Sequence, residues 1–478
     1  MACAAAAVIV AKSDGDGQSC APPEDPLVCQ VAESRGISLA TCERDPQTGS
    51  PLSGGVYASP NDQCDDWSGI TAAVTRARGR GVVELPPGER SLPGFTASPY
   101  LVSQPVNITA VHVRGTRAGG PHQGTRIAPM PGASFVSGQG CYDLPLVDLP
   151  TVAQDCRGAV LWASSGFMQL QDVVVQADAS NMNEQTGEAD AAIYLYKTHG
   201  ANITGVTVQG GRRAGIHSEY AMVMRWDGVT ARYSSGVGVM IVGANGGSFR
   251  RVSATVNDGT GVVITTRPQA SGHATGEFFA ESLNLEQNGG HGVHVLRAYG
   301  SASLSALRAE GNALDGVRIE EAQNIHLYDF RVISPPSDPH PIEPGELAWH
   351  GVSLVRSPNA LVERGVLSGR EDVWIEGPSR FTVVRGVLYW GSAQAGPLEY
   401  AGAGVAAEVR HYYENQGVWV ERQHQRTRWS NGQPPAFVDS FRAGDVVRAA
   451  MPSVAGPNEW RCRATPLYGG TCSAWSQQ

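Results

Sequence analysis

Ionisable side chains gather in one stretch of this chain. His291, His294, Asp315, Arg318, Glu320, His350 and Glu376 fall between residues 291 and 376, with Trp374 among them. Asp315, Glu320 and Glu376 are candidate acids and bases, since a positioned carboxyl can give or take a proton during reaction. His291, His294, Arg318, His350 and Trp374 are candidates for holding a substrate. Imidazole and guanidinium groups stabilise oxygens that carry or develop charge, and an indole offers a flat apolar face with one polar tip. No Cys-x-x-Cys pair, phosphate loop, nucleophile elbow or His-Glu-x-x-His helix is present, so no metal ligand set is expected.

These residues occupy fixed places in a repeat. A small residue followed by aliphatic, variable and aliphatic residues recurs as Ala192-Ile193-Tyr194-Leu195, Gly215-Ile216-His217-Ser218, Gly238-Val239-Met240-Ile241 and Gly261-Val262-Val263-Ile264. It continues as Gly292-Val293-His294-Val295, Gly316-Val317-Arg318-Ile319, Gly351-Val352-Ser353-Leu354 and Asp372-Val373-Trp374-Ile375. The spacings are 23, 23, 23, 31, 24, 35 and 21. Alternation over so few residues is strand periodicity, and turn residues such as Asn257-Asp258-Gly259 and Asn288-Gly289-Gly290 fill the gaps. A coil of about 23 residues cannot bury its own apolar side chains. Stacked coils can, with strands about 4.8 Å apart. The expectation is an all-β right-handed parallel β-helix with Val239, Val262, Val293, Val317, Val352 and Val373 stacked inside.

In that fold equivalent positions form ladders. The variable position reads Tyr194, His217, Met240, Val263, His294, Arg318, Ser353, Trp374, and should face outward. Two residues later the ladder reads Tyr196, Glu219, Val242, Thr265, Leu296, Glu320, Val355, Glu376. The residue before the small one reads Ala191, Ala214, Val237, Thr260, His291, Asp315, His350, Glu371. Parity sends this third ladder inward unless the small residue breaks the alternation. A turn-exposed placement is preferred, because buried ionisable groups need partners. Glu320 and Glu376 lie two rungs apart, about 9.6 Å by rung spacing. That is close to the ~6.5–9.5 Å between carboxyls in inverting glycosidases. In this scheme Glu320 or Asp315 protonates a leaving oxygen and Glu376 activates water.

Composition agrees with the repeat. Glycine is 58 of 478 residues, about 12% against a usual ~7%, and charged residues are 17%. Much glycine opposes a helical bundle, and low charge with 41% hydrophobic residues opposes disorder. A pI near 5.8 without a Lys/Arg run excludes nucleic acid as the expected partner. The longest apolar run, Cys3 to Ala11, is too short to span a membrane.

Asp65-Asp66-Trp67-Ser68-Gly69-Ile70 leading to Gly81-Val82-Val83-Glu84-Leu85-Pro86-Pro87-Gly88 resembles the start of many pectin-lyase-like β-helix proteins, phage tailspikes included. There an aspartate-led short helix caps the solenoid and runs into a strand ending in Pro-Pro-Gly. The resemblance covers about residues 62–410 and implies the fold, not an activity. Gly290-His291-Gly292 followed by Arg318-Ile319-Glu320 is similar to the Gly-His-Gly and Arg-Ile-Lys motifs of polygalacturonase-type glycoside hydrolases. That likeness implies that His291 supports a catalytic acid and Arg318 binds substrate. Glu320 stands where that family has lysine, and its catalytic Asn-Thr-Asp and Asp-Asp motifs are missing. Asp338-Pro339-His340 resembles a motif of alginate epimerases. Val373-Trp374-Ile375-Glu376 resembles the Val-Trp-Ile-Asp-His strand of pectate lyases, with Gly377 in the place of histidine. No specific enzyme family is matched.

Nine cysteines occur; apart from Cys3 they form local even-numbered groups. Such groups suit disulfides in an exported protein, and Cys141–Cys156 and Cys462–Cys472 are the expected pairs. Three regions follow: a disulfide-bearing segment 1–61, the β-helix 62–410, and a C-terminal cap or small module 411–478. The expected protein is secreted, periplasmic or on the cell surface, with a polysaccharide or surface glycan as partner. A polysaccharide hydrolase or lyase comes first, a non-catalytic glycan-binding, adhesin or structural protein second. No cofactor is expected, calcium being the exception for a lyase.

Overall fold

A computed structural model of the chain describes residues 65–79, 81–87, 99–116, 124–130, 158–177, 189–266, 276–333 and 350–367, with 133, 135, 373, 384 and 387. It also describes the backbone alone of 37–39, 368, 374–376, 400–401, the rest of 383–390, and the strands beyond 407. The chain divides into two compact units, Met1–Phe278 and Phe279–Gln478.

The first unit opens on the helix Trp67–Ala77, whose buried Ile70, Ala73, Val74 and Ala77 share one face. The preceding aspartates tie it down. Asp66 is buried and accepts the Leu101 N–H at 2.7 Å, and Asp65 accepts the N–H groups of Trp67 and Ser103 at 3.1 and 2.9 Å. The helix packs against the strands Ile37–Leu39, Val82–Glu84 and Val106–Asn107. From there each coil contributes three short strands. Ala191–Tyr196, Ala201–Thr204 and Thr207–Gln209 make one coil, and Ala214–Glu219, Arg225–Asp227 and Thr230–Arg232 the next. Each strand pairs in parallel with its equivalent one coil on, giving three parallel sheets. The unit winds as the right-handed parallel β-helix that the repeats predict.

The second unit repeats the plan. Its first sheet runs Val293–Leu296, Val317–Glu320, Val352–Val355 and Val373–Glu376, parallel throughout. Val293, Val317, Val352 and Val373 stand in register, as do Val239 and Val262 in the first unit, and none is more than 3% exposed. The expected inner column is therefore present. Beyond Glu408 the pairing is mixed: Glu408–Tyr413 with Val418–Gln423 and Glu459–Ala464 with Ala474–Gln477 are antiparallel, while Arg426–Ser430 with Val446–Ala449 is parallel. Cys141, Cys156 and Cys472 lie outside the described residues, and only the backbone of Cys462 is described.

Sharp corners between strands are made by residues in the left-handed region. After the first-sheet strands come Lys197, Tyr220, Arg297, Glu321 and Arg356, with φ between 47° and 54°. Between second- and third-sheet strands come Arg251, Ser282, Ala306, Asp329 and Arg364, with φ between 49° and 59°. Each non-glycine residue there carries about 1–2 kcal/mol of backbone strain. The stacked sheets hold that strain in place coil after coil.

Candidate active site

The first two ladders stand as the sequence predicts. His294, Arg318, Ser353 and Trp374 are successive partners, and so are Leu296, Glu320, Val355 and Glu376. His291, Asp315 and His350 precede these strands. They belong to the same outer side, because the alternation breaks at the small residue. Ala191 clusters with Tyr194, and Ala214 and Val237 cluster with Met240, all on the outward ladders. The expected exposure does not follow, however. Asp315 is 3% exposed, and its burial is tolerated because three hydrogen-bond donors reach it and the His291 ring lies beside it.

These groups come from three coils. The Ser353 hydroxyl donates to Asp315 Oδ2 at 2.8 Å, the His350 backbone N–H to Oδ1 at 2.9 Å, and Arg318 Nη1 to Oδ2 at 3.4 Å. His291 Nδ1 lies 3.5 Å from Oδ2. Arg318 also donates through Nε to Glu320 Oε2 at 2.9 Å, and His294 Nε2 stands 3.3 Å from that oxygen. The His291 and His294 rings meet edge to face at 5.1 Å. A closed ring results: two imidazoles, each backed by a carboxylate, with one guanidinium joining the carboxylates. His350 contributes through its main chain. Glu376 and Trp374 are placed by strand register alone, Glu376 two rungs from Glu320 on the same ladder.

Electrostatics divides the ring into distinct roles. Burial, then the charges of His294 and Arg318, push His291 down to about 3, against the pull of Glu320. It is a neutral imidazole at ordinary pH. The hydrogen bond from His294 holds Glu320 down at about 2, helped by Arg318 and opposed by burial. Arg356 reinforces it, reaching Glu320 Oε1 at 3.2 Å. Glu320 is thus a firmly ionised carboxylate. That suits orienting a histidine and does not suit donating a proton to a leaving group.

A second line of charge flanks the ring, and sequence reasoning did not single it out. Glu321 accepts from Arg297 at 2.9 Å and from Arg356 at 2.8 Å, and Arg297 first of all lowers its pKa. The three residues stand at the left-handed corner of successive coils, each four positions after the inward valine. That constant offset was the available signal. Among the described residues no group of three or more His, Cys, Asp or Glu is placed to hold a metal ion. No described helix is long and apolar enough to cross a membrane. Asp338-Pro339-His340 lies outside the described residues.

Comparison with known proteins adds similarity of fold at low identity. No family model matches the chain, and no curated protein matches it. Among solved structures it is similar to the A-module of the mannuronan C-5 epimerase AlgE6 of Azotobacter vinelandii. Identity is 15% over 73% of this chain and 97% of that one, with a TM-score of 0.42. The ORF18 protein of Geobacillus virus E2 matches at 10% identity over 95% and 79%, TM-score 0.49. PfbA, a surface adhesin of Streptococcus pneumoniae, matches at 10% over 77% and 95%, TM-score 0.40. Scores at this level carry no functional argument, and the site must be read from its own chemistry.

Proposed function

We propose that the chain is a carbohydrate-active β-helix protein, exported from the cell, that cleaves a uronate-containing polysaccharide by proton abstraction on the outer face of coils 291–356. The observation that carries the reading is the His294–Glu320 pair, closed through Arg318 to Asp315 and His291. A base backed by an ionised carboxylate is the arrangement that makes an imidazole accept a proton. Glu320 and Arg318 fix the His294 ring and leave Nδ1, the nitrogen turned away from Glu320, to take the proton beside the uronate carboxyl. His291 stays neutral next to it, so His294 gains charge without a second imidazolium at 5.1 Å. Asp315 positions His291, and Arg356, at the solvent edge of the cluster, meets the uronate carboxylate. Glu376, two rungs along the ladder, is the candidate proton donor to the leaving oxygen.

Lyase chemistry is preferred to hydrolysis because the His294–Glu320 pair supplies an imidazole base, while Glu320 itself, held ionised, does not serve as the acid the hydrolytic scheme gave it. The exported location rests on the grouped cysteines of the sequence. A non-catalytic glycan-binding role is the second reading. It is favoured by one observation: each charged group of the ring already meets an opposite charge, as on an ion-paired sheet face.

The test is an assay on a panel of uronate-containing and neutral polysaccharides, following unsaturated product by absorbance and reducing ends in parallel. His294→Gln and Glu320→Gln are each expected to lower the rate about 10²–10⁴-fold, and Glu376→Gln to slow leaving-group departure. Full activity in both the His294 and Glu320 variants sinks the assignment. Binding of glycans without cleavage across the panel favours the second reading.

A further inference from the structure

The second sheet of the first unit has an outer face of a different kind. Its strands Met168–Gln171, Ala201–Thr204, Arg225–Asp227 and Gly247–Arg250 pair in register, so Gln169, Asn202, Arg225 and Ser248 form one ladder. Burial alternates along these strands and puts that ladder on the outside. Two positions earlier on each coil, on the same side, stand Phe167, Gly200, Val223 and Gly246. The bridges His199–Met222 and Met222–Asn245 carry the alignment across the corner. Phe167 is 42% exposed and Val223 56%.

Val223 is out of keeping with folding alone. Its φ is 54°, in the left-handed region, where Gly200 and Gly246 hold the same place with φ of 75° and 73°. A β-branched residue is rare there and strained. Glycine on both neighbouring coils shows that the corner itself needs no side chain. Val223 nonetheless turns an apolar group to water. Seven large apolar side chains are exposed among the described residues, and three of them, Phe167, Met222 and Val223, stand at this corner. Single exposed apolar residues are ordinary, while a cluster marks a contact surface. Strain kept at one position points the same way.

The neighbours of the patch name what it contacts. Phe167 and Val223 are two rungs apart, about 9.6 Å, and a Cβ added at Gly200 between them would meet nothing within 4 Å. Alongside, exposed Gln169 and half-buried Asn202 offer amide donors and acceptors. Arg225 is exposed and makes no ion pair among the described residues. Asp227, the carboxylate of its own strand, is held by Arg251 at 2.7 and 2.6 Å. A stable protein partner needs about 800 Å² of surface on each side, more than three apolar side chains supply. A sugar ring needs less: an apolar face for its C–H bonds, amides for its hydroxyls, and an arginine where it carries a carboxylate.

We propose that the outer face around Phe167, Gln169, Gly200, Asn202, Val223 and Arg225 is a holding site for a uronate-containing glycan. The class of sugar rests on the function proposed above. The site itself does not, because the ring of residues 291–356 takes no part in it and binding is measurable whether or not any polysaccharide is cleaved.

The experiment is calorimetric titration of the full chain carrying His294→Gln with oligogalacturonates, oligoglucuronates and oligomannuronates, the matching neutral oligosaccharides serving as controls. Phe167→Ser, Arg225→Gln and Val223→Gly, the last copying the neighbouring coils, are compared with Arg356→Gln, which alters the ring alone. At least one oligouronate is expected to bind, and its neutral counterpart about tenfold more weakly. Phe167→Ser and Arg225→Gln should each weaken binding about tenfold with the unfolding temperature unchanged, while Arg356→Gln leaves it in place. Val223→Gly should weaken binding and unfold at the same temperature or higher, because glycine relieves the left-handed strain. The proposal is overturned if no oligouronate binds, if neutral sugars bind as tightly, if Phe167→Ser and Arg225→Gln both bind as the parent does, or if Arg356→Gln abolishes binding. Val223→Gly unfolding at a clearly lower temperature with its affinity intact also overturns it, since the valine would then serve packing. So does a dimer in sedimentation that Phe167→Ser dissolves, which would give the patch to a second copy of the chain. Release of unsaturated product by the chain with His294 restored tests the lyase reading separately, so the two fail independently.

Discussion

His291 and Glu320 make the second unit sensitive to acid in two stages. His291 has an ordinary value of 6.5 and is pushed to about 3 in the folded chain. Below 6.5 the unfolded chain therefore binds a proton that the folded chain refuses. Stability falls as pH drops, by at most about 1.4 kcal/mol per unit for one such group. Glu320 adds its own loss lower down, as pH falls from 4.5 toward its folded value of about 2. Urea unfolding between pH 7 and pH 4 should show the decline, and His291→Gln should remove the part above pH 4.5; an unchanged slope in that variant rejects the assignment. The ladder positions of His294 and Glu320 were legible in the sequence, because they follow from the repeat once strands are recognised, but their pairing, diagonal between coils, was not. Nor was the pairing of Asp315 with Ser353 and His350. It depends on the break of alternation at Gly316 and Gly351, which no side-chain period reveals.

Corners between strands were legible only as turn-prone dipeptides, and their side chains turn out to brace the coils. Asn312 is buried, and its Oδ1 accepts both the backbone N–H of Asn288 at 3.1 Å and Asn288 Nδ2 at 2.8 Å. Its own Nδ2 donates to Leu285 O at 2.9 Å. In the first unit Asn257 does related work, its Oδ1 accepting the Ser234 N–H at 3.1 Å. Asn312→Ala removes these three bonds at a buried corner. It should cost about 1–3 kcal/mol, the penalty for unmet buried polar groups, read as a shift in the unfolding midpoint. A shift under about 0.5 kcal/mol would mean that water or a relaxed corner replaces the bonds. The turn composition Asn288-Gly289-Gly290 announced a corner. That its asparagine would bond to the next coil needed the coil-to-coil alignment, which unequal spacings of 31 and 35 residues obscure.

Within each unit, stacked coils keep contacts between neighbours, so chemistry on one outer face is set locally, while the long-range field is set by all charges together. The formal net charge is −9. Around the ring the cations Arg297, Arg318 and Arg356 are matched by Asp315, Glu320 and Glu321. The site thus adds no positive field of its own to draw a polyanion in. An acidic polysaccharide must approach against the overall repulsion, which acts over the Debye length and is screened by salt. If the lyase reading is right, kcat/KM on a uronate polymer should therefore rise as ionic strength goes from about 10 to about 150 mM, where the Debye length shrinks from about 30 to about 8 Å. Rates on a neutral polymer should stay flat over the same range. A rate on uronate polymer that falls with salt would mean that Arg356 leaves Glu320 and Glu321 to act as an attracting charge before substrate arrives. The paired geometry of Arg356, at 3.2 and 2.8 Å from those carboxylates, argues for the opposite order: contact first, exchange of partners second.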